Sequence, residues 1–143
     1  MTKYFGAAGM RIGMIVSSAD NIAALRQREP LWKLSAFDMA YMLSAMEDET
    51  FATRSESANR EAKAWLLDVL ESSSWVETIY PGEANFLLVR LRDMRAEELQ
   101  RRLLPHRVLV RDCANFDGLD AYHVRIAVKA IEQMEPLVEV LGG

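Results

Sequence analysis

The apolar positions of the chain show two textures. Between Ser18 and Ser72 they recur at three- and four-residue spacings, whereas from Trp75 onward short apolar runs alternate with turns and helical stretches. Ahead of both, Arg11-Ile12-Gly13-Met14-Ile15-Val16-Ser17 is a compact apolar run behind a glycine-bearing turn, Gly6-Ala7-Ala8-Gly9. It predicts a short buried strand. Ser18 predicts the cap of a helix over 19–28, with Asp20 in its first turn and Pro30 beyond its end. A second helix is expected over about 33–47, with Leu34, Phe37, Tyr41, Ser44 and Ala45 along one stripe. A third is expected over about 48–72, with Ala58, Ala62, Trp65, Leu66, Val69 and Leu70 on one side. Glu56, Arg60, Glu61 and Lys63 then face water, and the acidic run Glu47-Asp48-Glu49 caps that helix. Apolar stripes of this kind are core far more often than cofactor contacts.

Beyond Trp75 the expected order is strand 75–80, a Pro81-Gly82 turn, strand 84–91, helix 95–104 ended by Pro105, strand 108–111, loop 113–120, strand 123–128 and helix 131–141. Pro136 is awkward in that last helix unless it sits in the first turn or kinks it. The order β-β-α-β-β-α predicts an α/β fold, a sheet with helices packed on it. The 11–17 strand has no partner near it in sequence, so it is expected to belong to a larger sheet.

Composition narrows the function classes. The chain has 143 residues, half of them apolar and 27% charged, as an ordinary globular protein does. A formal net charge of -4 argues against a general nucleic-acid binder. A single cysteine, Cys113, excludes an internal disulfide and fits a reducing compartment. No run approaches the ~20 apolar residues that span a bilayer, and Arg11 and nearby glycines break the first apolar stretch, so no signal peptide or membrane association is expected. The expected location is the cytoplasm. Thirteen arginines stand against four lysines, Lys3, Lys33, Lys63 and Lys129, which leaves few candidates for lysine chemistry.

The stretch Thr2-Lys3-Tyr4-Phe5-Gly6-Ala7-Ala8-Gly9-Met10-Arg11-Ile12-Gly13 puts a hydroxyl residue before a lysine, an aromatic and small-residue turn after it, and an arginine eight positions on. Taken alone, it also fits a solvated terminal lysine and a surface turn. Two further arginines sit in strand-like segments: Arg111, at the end of Val108-Leu109-Val110-Arg111, and Arg125, within Val124-Arg125-Ile126-Ala127-Val128. A buried guanidinium between valine and isoleucine needs an anion, and a carboxylate matches its fork. Alternation on the wet side of a half-buried strand gives the same pattern.

The first stretch resembles the lysine segment of fold-type I pyridoxal-phosphate enzymes, the class I/II aminotransferase superfamily. Arg111-Asp112-Cys113-Ala114-Asn115-Phe116 through Asp120, followed by Val124–Val128, resembles the C-terminal region of the threonine-phosphate decarboxylases and, less closely, of the histidinol-phosphate aminotransferases. Gly82-Glu83-Ala84-Asn85-Phe86 resembles a small-domain strand of that group, with Asn85 structural. Arg28-Glu29-Pro30-Leu31-Trp32 resembles its Pro-Trp motif, with Leu31 inserted and Ser35 where an asparagine is usual. The resemblance implies an aspartate-aminotransferase-like fold: 1–47 as remnant strand and helices of the large cofactor-binding domain, and 48–143 as the C-terminal small α/β domain. It implies pyridoxal 5'-phosphate as cofactor, with Lys3 as the catalytic amine that forms the Schiff base and relays a proton. Arg11 is then the phosphate anchor, with Arg111 and Arg125 binding a small, amino-acid-like, phosphorylated substrate.

The same resemblance implies a homodimer or a missing N-terminal half. The aspartate that pairs with the pyridine nitrogen and the ring that stacks on the cofactor belong to an earlier part of such enzymes, so the segment alone is expected to be inactive. The competing expectation is a non-catalytic module that binds a small anion or another subunit. Cys113, His106 and His123 lack metal-ligand spacing and are read as structural or surface residues, with no metal site.

Overall fold

The computed structural model describes residues 3–141, which form two compact units divided between Phe51 and Ala52. In the first unit a 3-10 turn, Ala8–Met10, precedes α1 (Ala19–Arg26) and α2 (Ala36–Glu47). Ser18 caps α1 as predicted, its hydroxyl accepting the Asn21 N–H at 3.4 Å. α2 starts three residues later than expected because Ser35 and Asp38 form a reciprocal capping box, each side chain taking the other's backbone N–H. Its predicted apolar stripe is not a buried face: Met42 is the helix's buried residue, and Phe37 is 72% exposed.

The 11–17 strand is not formed. Strands exist only where a neighbour completes the ladder, and no partner pairs with this segment among the described residues. Met14, Ile15 and Val16 are exposed, so the buried-strand expectation is corrected on both counts.

The second unit is a two-layer α/β structure. α3 (Phe51–Ser72) starts in the first unit and runs into this one; it precedes β1 (Val76–Tyr80), β2 (Phe86–Leu91), α4 (Ala96–Leu103), β3 (Arg111–Asp112), β4 (His123–Ala127) and α5 (Ile131–Leu141). The strands make one sheet in the order β1-β2-β4-β3, every neighbouring pair antiparallel. Two-residue periodicity divides its side chains: Leu87, Val89 and Leu91 of β2 and Val124 and Ile126 of β4 enter the core. There they join Ala62, Leu66 and Leu70 of α3, Leu99 and Leu103 of α4, and Met134, Leu137 and Leu141 of α5. Pro136 lies inside α5, past its first turn, where it removes one helical donor. β3 is shorter than the predicted 108–111 strand, because only Arg111 and Asp112 find partners on β4. Among the described residues, no helix is long and apolar enough to cross a membrane.

Candidate functional site

In the first unit Lys3 opens a tight turn, its carbonyl accepting the Gly6 N–H at 3.3 Å. Gly6 has φ 64°, a left-handed conformation that glycine adopts without steric cost. The turn closes on Arg11, which caps the 3-10 segment with φ 54°. A non-glycine residue held there costs about 1–2 kcal/mol. The turn is fastened by aromatic side chains: Tyr4 meets Phe5 edge-on at 4.9 Å, and the Phe51 ring lies 5.3 Å from Tyr4 and 5.2 Å from Phe5. Tyr41 donates its hydroxyl to the Phe5 carbonyl at 3.0 Å. Lys3 and Arg11 therefore bracket one pinned turn. Both side chains are exposed, and neither has an ion-pair or hydrogen-bond partner among the described residues. Thr2, expected to contribute beside Lys3, lies outside the described residues.

The other lysines differ in this respect. Lys33 pairs with Glu29, and the Lys63 ammonium donates to the Gly82 carbonyl and, at 3.3 Å, to that of Ala84. The Lys129 side chain has no such partner among the described residues, which makes it the natural control for Lys3.

In the second unit, the sheet face opposite the core carries Tyr80, Phe86, Leu88, Arg90, His123 and Arg125. Parity decides the question left open for Arg125: Val124 and Ile126 are buried, while Arg125 points the other way and is exposed. It is not a buried cation. Its guanidinium carbon stacks 4.7 Å from the Phe86 ring centroid. Arg111 is its direct cross-strand partner. Like charges facing each other across two strands are destabilising, and a bound anion reverses that sign. Arg111 also donates to Asn115 Oδ1 at 3.0 Å and lies 5.5 Å from the Phe116 ring.

The sequence reading missed the cluster beside this pair. His123 is the buried polar residue of the described chain, at 6% exposure. Its Nδ1 is 2.7 Å from Asp120 Oδ1 and its Nε2 is 3.1 Å from the Tyr80 hydroxyl. Arg90, opposite His123 in the ladder, pairs with Glu77 and lies 3.8 Å from Asp120 Oδ2. The Tyr122 N–H, donating to the Asp120 carboxylate, holds that group below the usual carboxylate range, with help from His123 and Arg90. Burial pushes the Cys113 thiol up, partly opposed by Arg125 and Arg111. Strand parity was the available signal, since His123 and Arg125 are two apart and share a face.

The fold agrees with that of known proteins. The family model of aminotransferase class I and II matches residues 1–141. A histidinol-phosphate aminotransferase of Methanocaldococcus jannaschii is 33% identical over 98% of this chain and 37% of its own length. A threonine-phosphate decarboxylase of Salmonella typhimurium is 34% identical over 99% of this chain and 38% of its own. Among solved structures, the histidinol-phosphate aminotransferase of Clostridium acetobutylicum superposes with a TM-score of 0.91 at 25% identity, over 99% of this chain and 42% of that one. The chain thus spans well under half the length of the relatives it matches.

Proposed function

This chain belongs to the class I and II aminotransferase family, and from that premise we propose that it supplies the lysine and three of the arginines of a pyridoxal-phosphate enzyme. The reaction is amino-group transfer or decarboxylation on a phosphorylated amino acid or amino alcohol. The carrying observation is the pinned turn that presents an amine at Lys3 and a guanidinium at Arg11, both without protein partners among the described residues. That donor set fits a coenzyme bearing an aldehyde and a phosphate: Lys3 holds the first, and Arg11 takes the second through its bidentate fork. When bound, the coenzyme supplies an electron sink for the substrate α-carbon. Lys3 then holds or moves the proton at that carbon. Arg111 and Arg125, facing each other on β3 and β4, orient the substrate's anionic groups. In this reading, residues 1–47 belong to the large domain of such an enzyme and 48–143 form its small domain. In the same reading, catalysis draws on parts of the enzyme beyond these residues.

The test compares pyridoxal 5'-phosphate with pyridoxal, which lacks the phosphate, by fluorescence titration. The phosphorylated form should bind about tenfold tighter or better, the difference one charge-assisted pair makes, and Arg11→Gln should erase that preference. Equal affinities in the unaltered chain overturn the reading.

A further inference from the structure

The Tyr80–His123–Asp120 cluster has no part in the chemistry above, yet it touches the loop whose Asn115 and Phe116 contact Arg111. Loop 113–120 begins and ends on a single residue. The Cys113 N–H donates to the His123 carbonyl at 3.0 Å, and the His123 N–H donates to the Asp120 carbonyl at 3.1 Å. Inside the loop, Phe116 and Leu119 donate back to Cys113 and Phe116 at 3.0 and 3.1 Å. The loop thereby presents Asn115 and Phe116, which contact Arg111. The Arg125 guanidinium instead stacks on Phe86 of β2, and Cys113 at the start of the loop meets the backbone of Arg125.

A buried imidazole needs both nitrogens satisfied. Here one nitrogen faces the loop carboxylate, and the other faces a phenol on β1, two strands away across β2. The hydroxyl of Tyr80 therefore couples the far edge of the sheet to the loop. If the site needed only packing, a phenyl ring in place of the phenol would fill the same space.

We propose that Tyr80, His123 and Asp120 form a latch that fixes loop 113–120 and so aims Arg111 at the bound anion. They are positioning residues, selective for Arg111 over Arg125. The inference rests on the proposed anion-binding role of the two arginines, but its first readout does not.

Two variants of the chain test it, Tyr80→Phe and His123→Gln. The first readout is amide hydrogen exchange. One lost hydrogen bond should speed exchange at Phe116 and Leu119 by roughly 3- to 10-fold while leaving Leu87 and Val89 of β2 unchanged. The second is the response of the Arg111 and Arg125 side-chain N–H signals to inorganic phosphate. In either variant, the phosphate response of Arg111 should weaken several-fold while that of Arg125 persists. Unchanged loop exchange in both variants overturns the latch. So does acceleration spread evenly over loop and β2, or an equal loss at both arginines, since either marks a general structural role. If phosphate moves neither arginine in the unaltered chain, the anion reading fails, and loop exchange alone decides whether the latch exists.

Discussion

The unit that carries Lys3 and Arg11 and the unit that carries Arg111 and Arg125 are built by different means. Among the described residues the first buries one apolar side chain, Met42, and leaves Val16, Leu31, Trp32 and Phe37 between 72% and 95% exposed. The second holds the rest of the buried apolar residues described, all but Cys113 gathered into one cluster between its helices and one sheet face. Helix caps and local turns give the first unit its shape, and they act over three or four residues. Long-range burial gives the second its shape. The chemistry is divided accordingly: Lys3 and Arg11 depend on a few aromatic contacts around a turn, whereas Arg111 and Arg125 stand on a sheet whose back is the core.

The largest effect that sharpens this contrast is a core truncation. Leu66→Ala, at a fully buried position of α3, should cost about 2–5 kcal/mol in denaturant unfolding. Phe37→Ala, the same loss of apolar bulk in the first unit, should stay within about 0.5 kcal/mol. Comparable costs would erase the distinction.

Next in size is Phe51→Ala, which removes two ring contacts from the turn. At about 0.5–1.5 kcal/mol for each aromatic pair, the turn should lose about 1–3 kcal/mol. Hydrogen exchange at Gly6 and Met10 should quicken while the core strands hold. No change there would mean that the aromatic cluster does not fasten the turn.

The smallest effect is a titration. Because the Asp120 carboxyl is held below its ordinary value in the folded chain, its contribution to stability is present above the unfolded value, about 3.9. That contribution is lost as pH falls through the lower folded value. The denaturation midpoint of the second unit should decline on that acid limb, and Asp120→Asn should flatten the decline. An identical limb in the variant would contradict the assignment.

The same contrast explains what was legible in the sequence. Ser18 and the stripe Ala62, Leu66 and Leu70 were readable because caps and helical periodicity are local. Strands β1, β2 and β4 were placed within a residue or two by their apolar runs. The run at 11–17 carried an equally good strand signal and formed none, since an apolar run does not say whether a neighbour exists to complete its ladder. The shortening of β3 has the same cause. Lys3, Arg11, Arg111 and Arg125 were singled out through the family resemblance, because residue types and spacing alone left a solvated lysine and wet-side arginines equally open. The Tyr80–His123 contact was not, because it joins positions 43 apart in the sequence through a register that only the assembled sheet defines.

Lys3 is the centre of the proposed chemistry, and covalent trapping tests its role most directly. The chain is incubated with pyridoxal 5'-phosphate and reduced with borohydride, and the modified peptides are mapped. Lys33 and Lys63 are engaged with protein partners, so the decisive comparison is Lys3 against Lys129. Label concentrated on Lys3, and redistributed toward Lys129 when Arg11 becomes Gln, is the predicted result. Label shared equally between Lys3 and Lys129 in the unaltered chain would contradict it.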